Sequence, residues 1–109
     1  MENEHKAYEV KVTDTAWQQL LKHAQFLANV SVSAAERLVE DFVESTHTLS
    51  QMPERCPWLV HDAIPFQKYR KLLIGKYHMV LFQVRGNVVY ITAAIDCRQD
   101  YGWLLYELE

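Results

Sequence analysis

The stretch YRKLLIGKYHMVLFQVRGNVVYITAAI (69–95) decides how this 109-residue chain folds. It holds three runs rich in β-branched and aromatic residues, 69–74, 77–84 and 88–95. Only Gly75-Lys76 and Arg85-Gly86-Asn87 separate them. Such runs, bounded by glycine, read as strands, and connections this short suit hairpins. The spacing therefore predicts three neighbouring strands paired antiparallel. The last run, VVYITAAI, is apolar over nearly all of its length and reads as buried.

Upstream the period changes. YEVKVT (8–13) alternates and is expected to be a first strand. Trp17, Leu20, Leu21, Ala24, Leu27 and Ala28 then recur at spacings of three and four, the apolar face of a helix opened by Thr13 or Asp14 and closed near Asn29. Ser33-Ala34-Ala35-Glu36 has the capping-box pattern and announces a second helix. Its stripe is Ala35, Leu38, Val39, Phe42, Val43 and Leu49, with Glu40, Asp41 and Glu44 outward. Pro53 and Pro57 mark its exit. The proline-broken CPWLVHDAIPF (56–66) reads as an ordered loop with room for a short strand. QDYGWLLYEL (99–108) reads as a short last helix weakened by Gly102. The expected fold is a single two-layer α+β domain over 1–109, in the order β-α-α-β-β-β with a C-terminal tail.

Composition narrows the function. Half of the residues are hydrophobic and 23% are charged, which suits a globular chain of ordinary size. No apolar stretch approaches the ~18 residues that a membrane span needs. The N-terminal MENEHKAYEV is acidic and polar, unlike a secretion signal, so the cytoplasm is the expected compartment. Cys56 and Cys97 are then expected to be free thiols. The net charge of -3 argues weakly against nucleic acid, but the charges are unevenly placed. Residues 68–98 hold Lys68, Arg70, Lys71, Lys76, Arg85 and Arg98 against the single acid Asp96. That is either a basic binding face or solvated strand-edge charge that protects a sheet.

The residues that could carry chemistry cluster where the last strand ends, at Cys97-Arg98-Gln99-Asp100-Tyr101. Arg98 and Asp100 stand two apart, which in extended chain points them to one side. They could belong to a reactive cluster, or Asp100 could pair with a basic neighbour and open the last helix, where a carboxylate is favoured. His61-Asp62 has no further ligand at useful spacing, and no metal or cofactor is expected. His23 and His47 read as solvated, Cys97 as a buried strand-end thiol, and Trp17, Trp58 and Trp103 as core. Three glycines leave no room for a glycine-rich phosphate loop.

YRKLLIGKYHMVLFQV followed by VVYITAAIDCRQDY, after a first strand and a helical pair ending in Met52-Pro53, resembles the RelE/ParE superfamily of toxins from bacterial toxin–antitoxin pairs. The likeness runs from Tyr8 to about Leu105. It implies a growth-inhibiting protein neutralised by a cognate antitoxin that lays a segment on the sheet or the helical pair. Family members either cut mRNA at the ribosome or poison DNA gyrase. For the cutting branch, the resemblance implies Arg98, Tyr101 and Arg70 as the catalytic set, with Tyr101 matching the C-R-x-x-Y ending. That branch has histidine where this chain has Asp100, and a central-strand arginine where it has Met79, which cannot stabilise a phosphorane. The ending C-R-Q-D instead resembles the gyrase-directed branch. A target-binding toxin is therefore favoured, with Lys68, Arg70, Lys71, Lys76, Arg98 and Asp100 as target- or antitoxin-binding residues. An mRNA endonuclease is the alternative. An inactive member that serves only as an interaction or homo-oligomer-forming domain is the third reading.

Overall fold

Thr13 caps the first helix: its Oγ1 accepts from the Ala16 N–H and donates to the Ile91 carbonyl. One side chain thus satisfies a helix end and ties it to a strand 78 residues away. The computed structural model describes residues 7–98. Its elements are β1 (Glu9–Val12), α1 (Asp14–Ala28), α2 (Val32–His47), β2 (Arg70–Ile74), β3 (His78–Arg85) and β4 (Val88–Asp96). Two single-turn 3-10 helices, Thr48–Ser50 and Pro53–Arg55, follow α2. The reading of 99–108 as a last helix lies outside the described residues.

The four strands form one sheet in the order β1-β4-β3-β2. The hairpins pair antiparallel, as their short connections require, whereas β1 lies parallel to β4. The β3–β4 turn is Gly86-Asn87 alone, with Gly86 at φ 60° in the position where a two-residue hairpin favours glycine. The β2–β3 turn is one residue longer than expected, because Ile74 pairs with His78 and Tyr77 therefore belongs to the turn.

Both faces of the sheet are covered. The helices pack on one face, where Leu20, Leu38 and Phe42 meet Val80, Phe82, Val89 and Ile91. On the other face the 56–69 segment folds back, so that Leu59, Ala63, Ile64 and Tyr69 cover Met79, Leu81, Ala93 and Ile95. Two covered faces explain why β3 and β4 read as almost continuous apolar runs rather than alternating ones. The register shifts at Leu81/Phe82, leaving Thr92 as an extra residue on β4. Its hydroxyl donates to the Leu81 carbonyl. This bulge swaps the facing of the chain beyond it: Val89 and Ile91 point to the helices, but so does Ala94.

Several local expectations shift. The second helix is capped by Ser31, whose Oγ accepts from the Ala34 N–H, and not by Ser33. The earlier cap places Val32 in the first turn and takes Glu36 out of capping-box position. Leu21 and Val43 are exposed, because the buried stripes centre on Ala16, Leu20 and Ala24 and on Ala35, Leu38, Phe42 and Thr46. Beyond Val12 nothing pairs with β4 on the β1 side among the described strands. There Gln19 reaches from α1 to accept the Ala94 N–H at 2.8 Å.

Candidate functional site

The parallel β1–β4 pairing sends α1 along β4, which brings α1 side chains over the end where β4 stops. His78, the first residue of β3, pairs with Asp96, the last residue of β4. The rings of His78 and His23, from α1, are 5.4 Å apart and tilted. Arg98 folds back on Asp96 through its backbone N–H at 2.9 Å and a two-pronged guanidinium contact, Nε to Oδ1 at 3.0 Å and Nη2 to Oδ2 at 2.8 Å. Its guanidinium also lies 4.5 Å from the Tyr77 ring centroid. The Asp96 side chain is 10% exposed and that of Arg98 54%, so the acid sits beneath and the cation faces solvent.

These contacts set the protonation states. The hydrogen bonds from Arg98 hold the Asp96 carboxyl at a pKa of about 2. Burial lowers the pKa of both histidines, outweighing the favourable field of Asp96 in each case. Among the described residues His23 Nδ1 is buried without a hydrogen-bond partner. The site is therefore two neutral imidazoles beside an arginine whose charge is largely answered by its own aspartate.

Stability is expected to fall in two acid steps. An unfolded imidazole takes its proton near pH 6.5 and the folded ones only below it, so unfolding binds protons as pH drops under about 6.5. Asp96 adds stability above its unfolded value of 3.8, lost as pH falls towards 2 and on the order of 1–2 kcal/mol in all. Urea midpoints measured against pH check both steps: His23→Leu flattens the upper one and Asp96→Asn the lower.

The sequence-predicted residues do not form one cluster. Arg98 is at the site, and Lys76 is exposed in the adjoining β2–β3 turn. Arg70 pairs with Phe82, four positions along β3 from His78 and so roughly 13 Å away. Its Nη1 donates to the Cys56 carbonyl at 2.6 Å and the Glu54 carbonyl at 3.2 Å, and its guanidinium stacks 3.8 Å from the Trp58 centroid. Lys68 stands just before it, with its Nζ 5.5 Å from the Tyr69 centroid. Lys71 sits mid-strand opposite Leu81. Asp100 and Tyr101 lie outside the described residues, as does Trp103.

His23 is half-buried against His78 rather than solvated, because α1 packs on β4 and sets His23 beside the start of β3. Cys97 is exposed, since β4 ends one residue earlier. Its thiol pKa is raised, first by desolvation and then by Asp96, and Arg98 does not lower it. Trp58 is a half-buried loop residue that bridges to Arg70, whereas Trp17 packs on Phe42 in the core. His61 Nδ1 accepts the Ala63 N–H within its loop. Among the described residues no group of three His, Cys, Asp or Glu side chains could hold a metal ion. Sequence reasoning overlooked Asp96, Tyr77 and His23. The i, i+2 argument applied to Arg98–Asp100 fits Asp96–Arg98 equally, and His23 stands three residues after the buried Leu20.

Comparison with known proteins adds the family. The model of the ParE toxin of the type II toxin–antitoxin system parDE matches residues 10–101. A chain from the chromosomal ParDE toxin–antitoxin system of P. aeruginosa has the same fold, with a TM-score of 0.68 and 19% sequence identity over 84% of this chain and 97% of that one. No curated protein matches. Among the described residues no helix is long and apolar enough to cross a membrane.

Proposed function

The chain belongs to the ParE toxin family of type II toxin–antitoxin systems, and on that premise we propose that it arrests bacterial growth by binding an essential target without cutting it. DNA gyrase is the favoured target, and a cognate antitoxin holds the toxin inactive. The observation that carries this reading is the separation of its cations. Metal-independent RNA cleavage needs cations converging on one phosphorane. Here Arg70 is tied to two carbonyls at the far end of β2, Arg98 to Asp96, and Met79 is sealed between the sheet and the 56–69 segment. Arg98, with Lys76 beside it and Asp100 and Tyr101 following, is the proposed target-facing end. Lys68 and Arg70 lie towards the other, with Lys71 mid-strand between them.

One observation favours the endonuclease alternative: a neutral imidazole, His78, beside Arg98 could serve as a base. The experiment that separates the readings is induction of the toxin alone in bacteria, with mapping of mRNA 5′ ends and a supercoiling assay on purified gyrase. Growth arrest with intact mRNA and loss of supercoiling is expected. New mRNA 5′ ends that vanish with Arg98→Ala would replace this reading by the nuclease. No arrest at all would leave an interaction domain.

A further inference from the structure

A guanidinium carries five N–H donors in a fixed fork, and Asp96 occupies one edge of that of Arg98. Nε donates to Oδ1 and Nη2 to Oδ2, the side-on form of the two-pronged contact. The Tyr77 ring covers one face of the guanidinium. Both supports are themselves held. Asp96 is the last residue of β4 and also accepts the Arg98 backbone N–H. The Tyr77 carbonyl accepts the Cys97 N–H, which ties the β2–β3 turn to the end of β4. What remains open is the tip, formed by Nη1 and the outer N–H of Nη2. Among the described residues the tip has no hydrogen-bond partner.

Resting on the reading that this end faces the target, we propose that Asp96 and Tyr77 are positioning residues, which hold Arg98 so that its tip donates to a main-chain carbonyl of the target protein. A long side chain fixed before binding has less freedom to lose when it binds. The same fixing answers most of its charge, so hydrogen-bond geometry is what the tip has left to offer. Arg70 shows the chemistry inside this chain: it stacks on Trp58 while Nη1 donates to the carbonyls of Cys56 and Glu54. A phosphate or carboxylate at the tip would meet the Asp96 carboxylate behind it. The adjoining His23 and His78 imidazoles, kept neutral by burial, would not offset that repulsion. Attraction of an anion to this end falls instead to Lys76 in the neighbouring turn.

The test turns on the sign of the effect of Asp96→Asn, read as the concentration of full-length chain that half-inhibits supercoiling by purified gyrase. If Asp96 positions Arg98, the variant should be about tenfold weaker. Arg98→Lys, which keeps the charge but not the fork, should be as weak as Arg98→Gln. Tyr77→Leu should also weaken inhibition, and Tyr77→Phe, which keeps the ring, should recover most of it. Urea midpoints at pH 7 show that each variant is folded under assay conditions. Stronger inhibition by Asp96→Asn, or full inhibition by Arg98→Lys, would mean that Arg98 acts by charge on an anion and would overturn the proposal. A second readout needs no target: the Arg98 Nε–H signal in NMR should exchange slowly with water in the parent and quickly in Asp96→Asn. Fast exchange in the parent would overturn the positioning. A parent that inhibits no gyrase fails the target reading, whereas inhibition that Asp96→Asn leaves unchanged fails the positioning alone.

Discussion

Met79→Arg should leave little folded protein. Met79 is 3% exposed and packs with Leu81, Ala93 and Ile95 under the 56–69 segment. A guanidinium there has no acid partner among the residues of that cluster, and burying an unpaired ion costs several kcal/mol even after relaxation. Domains of this size are stable by about 5–15 kcal/mol, so the substitution consumes much or all of that margin. Soluble yield and thermal melting followed by circular dichroism measure it, with Met79→Leu expected to stay close to the parent. The outcome also bears on function, because this is the position where the resemblance puts the arginine of mRNA-cutting relatives. A folded Met79→Arg protein that cleaved RNA would mean that the fold readily accepts the nuclease arrangement, against the reading given above.

Phe82→Ala is expected to destabilise the protein by about 3–5 kcal/mol, the range for emptying a buried aromatic site. Phe82 is fully buried at the centre of the helix-facing core, opposite Arg70 on β2 and Ile91 on β4. Strands hold it on both sides and helices above, so the surroundings cannot collapse readily into the space. Urea unfolding should show a lower midpoint at unchanged slope. The comparison is Leu73→Ala on the edge strand, a 66% exposed side chain whose loss should change stability by less than about 0.5 kcal/mol. Similar losses for the two would mean that the helix-facing core is not where stability resides.

The local signals in the sequence were those that repeat within a few residues. Glycine in a short gap announced both hairpins, and spacings of three and four marked the buried edges of α1 and α2. Those signals survive in the structure because turn chemistry and helical period are decided by neighbours in the chain. They failed where a choice depended on something outside the window. Ser31 and Ser33 are equally good caps by type, and the structure places the cap at Ser31, whose backbone is extended and whose Oγ accepts from the Ala34 N–H. Leu21 and Val43 belong to the apolar period but fall at its rim, where the partner surface ends. The 56–66 loop was legible as ordered. That it seals the second face of the sheet was not, since a loop has no period from which to read a face.

The candidate site shows the same division more sharply. The sequence alone determined the order of elements, the antiparallel hairpins and most of the buried helix faces, since each is a property of residue type and near spacing. Only the tertiary structure decided that β1 runs parallel to β4, that a bulge at Thr92 turns Ala94 towards the helices, and that His23 meets His78 across 55 residues. It also parted Arg70 from Arg98, two residues that composition had grouped into one basic face. The physical reason is that these contacts join segments whose separation along the chain says nothing about their separation in space. They are selected by the joint burial of both sheet faces and by the pairing of β4's backbone, conditions that no single stretch of the sequence carries.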